Sequence, residues 1–133
     1  MDAIMSKKDE EISLSGKKIK LKEVDFIDGT IVLNKQLLNN MFFDENIFIY
    51  FETMDLCKRL RDKKIRMYAV DEITFDHFGG QSHDKKYDHE AHLSRNWHYN
   101  WSKFYFYNKH NNYFYALKKV LPNLRQSIIG YIK

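Results

Sequence analysis

A single cysteine, Cys57, in 133 residues excludes an internal disulfide framework. A reducing, cytoplasmic setting is therefore the expected one. Long apolar runs are missing too: Asn46 to Phe51, among the longest, falls far short of the roughly 20 residues a spanning helix needs. Met1 to Glu11 is polar and lacks the apolar stretch of a secretory leader. No internal repeat or low-complexity tract appears, which excludes a repeat array. What the chain does have is 44% hydrophobic and 16% aromatic residues, enough at this length for one modest core and one domain, and too little for a two-lobed enzyme. A formal net charge of +4 and a pI near 9.0 favour anionic partners without choosing among phosphates, nucleic acid and an anionic membrane face.

Residues 1–16 are charged and serine-containing, and we expect a flexible segment there. Lys17 to Val24 alternates Ile19, Leu21 and Glu23 with lysines, and Phe26 to Asn34 is rich in β-branched residues around Asp28-Gly29, so both read as short strands. Asn34 can cap a helical turn through Leu37 and Leu38. Met54 to Lys63 fits a helix with an apolar stripe of Met54, Leu56, Cys57 and Leu60. Ile65 to Val70 and Ile73 to Phe78 read as strands, the second closed by Gly79-Gly80. After a polar loop, Asp88 to Lys109 places Leu93, Trp97, Trp101 and Phe104 on one face of a long helix that Asn111-Asn112 breaks. A last helix is expected over Tyr113 to Val120, with Pro122 starting a short tail. The fold class is α/β: a mixed sheet with flanking helices and a long aromatic helix near the carboxyl end.

Two stretches can carry chemistry. Glu52 and Asp55 lie three apart at a strand-to-helix junction, where free helix N–H groups favour ionised carboxylates, a good place for a general base. Arg59, four residues after Asp55, can pair with it, so the same residues also read as an N-terminal capping arrangement with a surface salt bridge. In the second stretch His77 ends a strand ahead of Gly79, Gly80 and Ser82. Glycines let backbone N–H groups approach an anion, and a neutral imidazole can ligate a diphosphate-bound metal; a plain turn is the alternative.

The run from Phe43-Asp44-Glu45 through Tyr50, Glu52 and Asp55-Leu56-Cys57 to Arg59 resembles the signature of family 2 glycosyltransferases of the GT-A type, rhamnosyltransferase-like branch. Asp28 and Gly29, within Asp25 to Leu33, resemble that family's acceptor-cleft strand, and His77-Phe78-Gly79-Gly80-Gln81-Ser82 resembles the element that closes its donor diphosphate site. The resemblance covers about Val24 to His110. It implies a partial GT-A (incomplete Rossmann-like) fold and inverting transfer of a sugar from a nucleotide-sugar donor to a saccharide or lipid-linked acceptor, in cell-surface polysaccharide synthesis. It further implies a divalent metal, Mg or Mn, with His77 touching metal or diphosphate, and Asp28, Gly29, Arg59, Gly79, Gly80 and Ser82 lining the substrates. Thr53 stands where many relatives carry the second acid of a Glu-Asp pair. Glu52 is then the candidate base, with Asp55 sharing the duty or fixing the loop. Residues 1–23 match neither the family's nucleotide-binding βαβ unit nor its Asp-x-Asp motif, so the chain is expected to be the acceptor-side half, residues 17–133, of such a domain and inactive alone. A fragment, a split subunit with a donor-binding partner chain, and a remnant are all compatible with that.

The aromatic segment from Trp97 to Tyr115, interleaved with lysines, is expected to bury its Trp97 and Trp101 face. Peripheral contact with the inner face of the cell membrane is the next reading, since acceptors in this branch are often lipid-linked. His83, His89, His92, His98 and His110 are too irregularly spaced, and lack partner cysteines, for a zinc site. Two other classes compete with an enzyme: a nucleic-acid-binding module, for which no strand motif with paired aromatics is found, and a non-catalytic interaction subunit.

Overall fold

The structure is a computed structural model that describes residues 9–39, 41–74, 76 and 85–132. The chain divides into two compact units, Met1–Phe42 with Leu56–His77 and Phe43–Asp55 with Phe78–Lys133.

The first unit is built on a three-stranded sheet of β1 (Glu10–Leu14), β2 (Lys17–Val24) and β3 (Met67–Val70), in the order β1-β2-β3. Ser15 (φ 51°) and Gly16 (φ 81°) form a two-residue turn with both residues left-handed, the geometry that matches strand twist. It sets the register Leu14↔Lys17 to Glu10↔Leu21, and β2 pairs with β3 from Leu21↔Val70 to Val24↔Met67. Both pairings are antiparallel, so the sheet among the described residues is not the mixed one expected. Nor is residues 1–16 a wholly flexible segment, because Glu10–Leu14 pairs with β2 and Glu10 binds Arg66 and the Tyr68 hydroxyl. The strand expected over Phe26 to Asn34 is irregular instead. Asp28 Oδ1 accepts the Gly29 N–H at 2.9 Å, a local bond that competes with ladder pairing, and Gly29 adopts φ 80°. Ile73, Thr74 and Asp76 form no strand, and the rest of that expected element, apart from these residues, lies outside the described residues.

One short helix and the Leu56–Asp62 part of a second complete this unit; Glu52–Asp55, the start of that second helix, belong to the other unit. In α1 (Lys35–Leu38) the Asn34 side chain accepts from Gln36 N and Leu37 N, the cap its position predicted. The second helix, α2 (Glu52–Asp62), carries Glu52 and Asp55 in its first turn and Arg59 and Arg61 in its last, charges that complement the helix dipole. Its residues Leu56, Cys57 and Leu60 form the core with Leu38, Met41 and Met67.

The second unit contains α3 (Asp88–His110), preceded by a short 3-10 turn, and α4 (Tyr113–Ile132), packed as a helical hairpin across Asn111-Asn112. Asn112 Oδ1 caps α4 through Tyr115 N at 2.9 Å. The last helix continues through Pro122 rather than ending at Val120. Contacts beyond the proline hold it: Lys103 Nζ donates to Asn123 Oδ1 at 2.6 Å and Asn100 Nδ2 to Ser127 Oγ at 3.1 Å. Tertiary packing here overrides a local breaker. Trp97 and Trp101 are 61% and 48% exposed, against the expectation of burial. The buried positions of α3 are Asn100 and Ser102, which hydrogen-bond to specific partners, and Phe106, whose ring packs on Phe51 and His110.

The end of α2 generates a stability prediction. Ile65 N bonds to Leu60 O at 2.9 Å and Lys64 N to Arg61 O at 2.8 Å, a Schellman stop with Lys64 at φ 59°. A side chain in that conformation costs roughly 1 kcal/mol that glycine avoids. Lys64→Gly is expected to raise the urea midpoint of unfolding by the equivalent of about 0.5–1 kcal/mol; an unchanged or lowered midpoint would show that the left-handed cap is unstrained.

Candidate functional site

The segment from Phe43 to Phe51 has no regular structure, so its backbone groups need partners from elsewhere. The strand expected ahead of α2 is absent. Side chains of α3 take its place: Ser102 Oγ donates to Ile49 O at 2.8 Å and Trp101 Nε1 to Asn46 O at 3.4 Å. Asp44 accepts the Asn46 backbone N–H at 3.0 Å, which folds the start of the segment into a local turn.

The segment ends in two consecutive left-handed residues, Tyr50 and Phe51, both at φ 64°. Such a conformation costs a bulky side chain about 1–2 kcal/mol, and it persists only where packing over-determines it. The Phe51 ring contacts Tyr99, Phe106 and Tyr107, and the Tyr50 ring meets Tyr99 edge-on at 5.6 Å. This turn delivers Glu52 as the first residue of α2. Glu52 is half-buried, and its Oε2 is buried with no hydrogen-bond partner.

Three residues on, Asp55 is fully buried, not on the helix surface as the capping reading had it. Its Oδ1 accepts from Lys109 Nζ at 2.8 Å and faces His110 Nε2 at 2.7 Å, which places a proton on that nitrogen. Lys109 Nζ also donates to Asp44 Oδ2 at 2.7 Å, and the Tyr105 hydroxyl donates to the same oxygen at 3.1 Å. One ammonium thus joins two carboxylates.

Burial opposes ionisation of Asp44, but the hydrogen bonds from Lys109 and from the backbone and side chain of Asn46 prevail and hold its carboxyl far below the usual range. Burial likewise works against the Lys109 ammonium, yet Asp44 and Asp55 together raise its pKa. Burial, then the bond to Asp44, pushes the Tyr105 hydroxyl up. Asp55, with no exposed surface, is suited to hold the Glu52–Asp55 turn at the start of α2 against α3.

Of the other residues singled out in the sequence, Asp28, Gly29 and Arg59 belong to the first unit, where Arg59 Nη2 donates to Phe42 O at 2.5 Å. His77, Gly79, Gly80 and Ser82 lie outside the described residues. Lys109, His110, Asp44 and Tyr105 were not predicted as a cluster; the only sequence signal was a Lys-His pair in the last turn of an aromatic helix. Among the described residues no group of three His, Cys, Asp or Glu side chains could hold a metal ion, and His77, the residue the resemblance gives to the metal, lies outside them. No helix among them is long and apolar enough to cross a membrane. No family model, curated protein or solved structure matches the chain.

The Asp44 pairing makes stability pH-dependent. Its folded pKa lies below the value of about 3.9 for a free aspartate, so the unfolded chain binds the proton more readily. The stabilisation is present above the unfolded pKa and lost as pH falls toward the folded one. The urea midpoint should therefore drop between about pH 5 and pH 2, and Asp44→Asn should lower stability at neutral pH while flattening that acid slope. An acid slope of equal steepness in the variant would assign it to other carboxylates.

Proposed function

We propose that this chain is the acceptor-side half of an inverting family 2 glycosyltransferase of the GT-A type, with Glu52 as the general base. The observation that carries the reading is the Glu52 carboxylate, whose buried Oε2 has no partner directly after a strained turn. An unpaired buried oxygen on a carboxylate costs about 1–3 kcal/mol or more, and costs of this kind collect where a group is held ready for a ligand. The same stretch, Phe43 to Arg59, carries the family resemblance.

In the proposed reaction an acceptor hydroxyl oxygen attacks the anomeric carbon of a nucleotide sugar. The bond from that carbon to the diphosphate oxygen breaks, the nucleoside diphosphate leaves with the electron pair, and Glu52 takes the hydroxyl proton. Asp55, paired with Lys109 and His110, acts as a positioning residue that fixes the first turn of α2. The resemblance gives Asp28, Gly29 and Arg59 to the acceptor and His77, Gly79, Gly80 and Ser82 to the diphosphate. The donor nucleotide is bound by a unit other than residues 17–133, supplied in the same polypeptide or by a partner chain.

The test is anomeric. Joined to a donor-binding half with an Asp-x-Asp motif, the chain is expected to transfer sugar with inversion, and Glu52→Gln is expected to lower kcat by about 10²–10⁴-fold with little change in donor KM. Retention of configuration, or a Glu52→Gln enzyme at full rate, would overturn the assignment. Turnover by the chain alone would overturn the division into halves.

A second reading, peripheral contact with an anionic membrane, is favoured by α4. Phe114, Leu121 and Ile128, seven residues apart, are 81%, 55% and 51% exposed, with Lys118 and Arg125 between them on the same face. The chain is expected to float with anionic liposomes at low salt, and the Leu121→Glu/Ile128→Glu double variant to stay at the bottom of the gradient; wild-type protein that also stays at the bottom would rule this reading out.

A further inference from the structure

Between α3 and α4 lies a cavity of about 560 Å³, within the roughly 300–1,000 Å³ of small-molecule sites. It lies wholly inside the second unit and is separate from Glu52 and from the Lys109 cluster in its lining. None of its lining residues is Asp, Glu, Lys or Arg. Four of them, Asn96, Asn100, Asn123 and Gln126, carry amides, and the Tyr99 ring, two histidines, a leucine and Ser127 complete the wall.

The amide of Asn100 is the informative one. Asn100 is 5% exposed, and its Nδ2 donates to Asn96 O at 2.9 Å and to Ser127 Oγ at 3.1 Å. Ser127 Oγ in turn donates to Asn123 O at 3.1 Å. Both amide protons are thereby spent, which fixes the orientation of the group and leaves Oδ1 as a buried acceptor with no partner. A buried acceptor in a native fold calls for a donor. Flipping the amide would not help, because it would set Oδ1 against the Asn96 carbonyl oxygen, acceptor facing acceptor.

We propose that this cavity is a binding subsite for an uncharged carbohydrate, one of whose hydroxyls donates to Asn100 Oδ1. Amides pair with hydroxyls in both directions and an aromatic wall suits the C–H faces of a sugar ring; no lining residue carries a carboxylate or ammonium, and the Lys103 ammonium beside Asn123 and Tyr99 is already bound to Asn123 Oδ1, which disfavours a phosphorylated or acidic ligand. The choice of carbohydrate over other neutral polyols rests on the glycosyltransferase reading; the polar, uncharged character of the ligand does not.

The chain, isotopically labelled, is titrated in NMR with neutral mono- and disaccharides, with glucuronate and with UDP. Saturable shifts of the Asn100, Asn123 and Gln126 side-chain amides are expected with a neutral saccharide and not with the two anions. Asn100→Leu should weaken binding by about tenfold or more. Because Asn100 is buried and that variant could unfold, Gln126→Ala, at an exposed position, is the second variant and should weaken binding several-fold with an unchanged melting temperature. Amides that do not shift with any neutral saccharide at ~50 mM, well above the roughly millimolar Kd expected of such a site, would overturn the proposal, as would binding that both folded variants leave intact. Such a failure leaves the inversion test of Glu52 untouched, and loss of transferase activity in Glu52→Gln leaves the cavity untouched.

Discussion

The ammonium of Lys109, set between the carboxylates of Asp44 and Asp55, is the interaction on which the second unit turns. Asp55 has no exposed surface, and a buried carboxylate is tolerated only when paired and hydrogen-bonded. Losing one member of such a buried pair costs about 3–5 kcal/mol, against the 5–15 kcal/mol that typically separates folded from unfolded. The pairing also has a preferred place. Lys109 and His110 occupy the last turn of α3, where the helix dipole favours cations, and Asp55 occupies the first turn of α2, where it favours anions. Two helix ends of opposite polarity therefore meet through side chains that each end already prefers.

From that anchor the irregular segment follows. With Asp44 tied to Lys109 and Tyr105, and Asp55 tied to Lys109 and His110, the chain between them is held at both ends against one helix. Ser102 and Trp101 satisfy carbonyls along the way, and Tyr99, Phe106 and Tyr107 press on Phe51. The left-handed pair Tyr50-Phe51 is the geometric remainder: a segment pinned at its ends and roofed by rings has to turn sharply to enter α2. Glu52 inherits its position from that turn, so a change in α3 far along the sequence would move it.

Local signals were the legible part of this fold. Alternation in Lys17 to Val24, the Asn34 cap and the long helix ending at Asn111 all rest on residues adjacent in sequence, and each is found where the pattern put it, within a residue. What failed depended on distant partners. β1 became ordered because β2 offered it a ladder, Pro122 was carried inside α4 by bonds to α3, and the β-branched stretch around Gly29 lost its strand to a side-chain bond from Asp28. At the candidate site, Asp55 was legible as an acid at a helix start, but its burial was not, because burial came from Lys109 and His110 more than fifty residues away. The aromatic helix misled in a specific way. Its Trp face looked like the packed one, whereas the packed positions are Asn100, Ser102 and Phe106, two of them polar and held by hydrogen-bond partners rather than by hydrophobicity.

That choice bears on what the helical hairpin is for. A pair of helices that needed only to pack would bury apolar side chains at positions such as Asn100 and Ser127, gaining about 0.8 kcal/mol per buried methylene and leaving no polar atom unmet. Here the pair instead keeps an amide network with one acceptor unanswered, beside a cavity it does not fill, while Ala116 and Val120 on the same helix are packed tightly. Close packing and an open polar cavity thus coexist on neighbouring turns of α4. A fold that closes the interface of this hairpin at Ala116 and leaves it open at Asn123 and Ser127 gives up stability there, and a ligand that donates to Asn100 would return it.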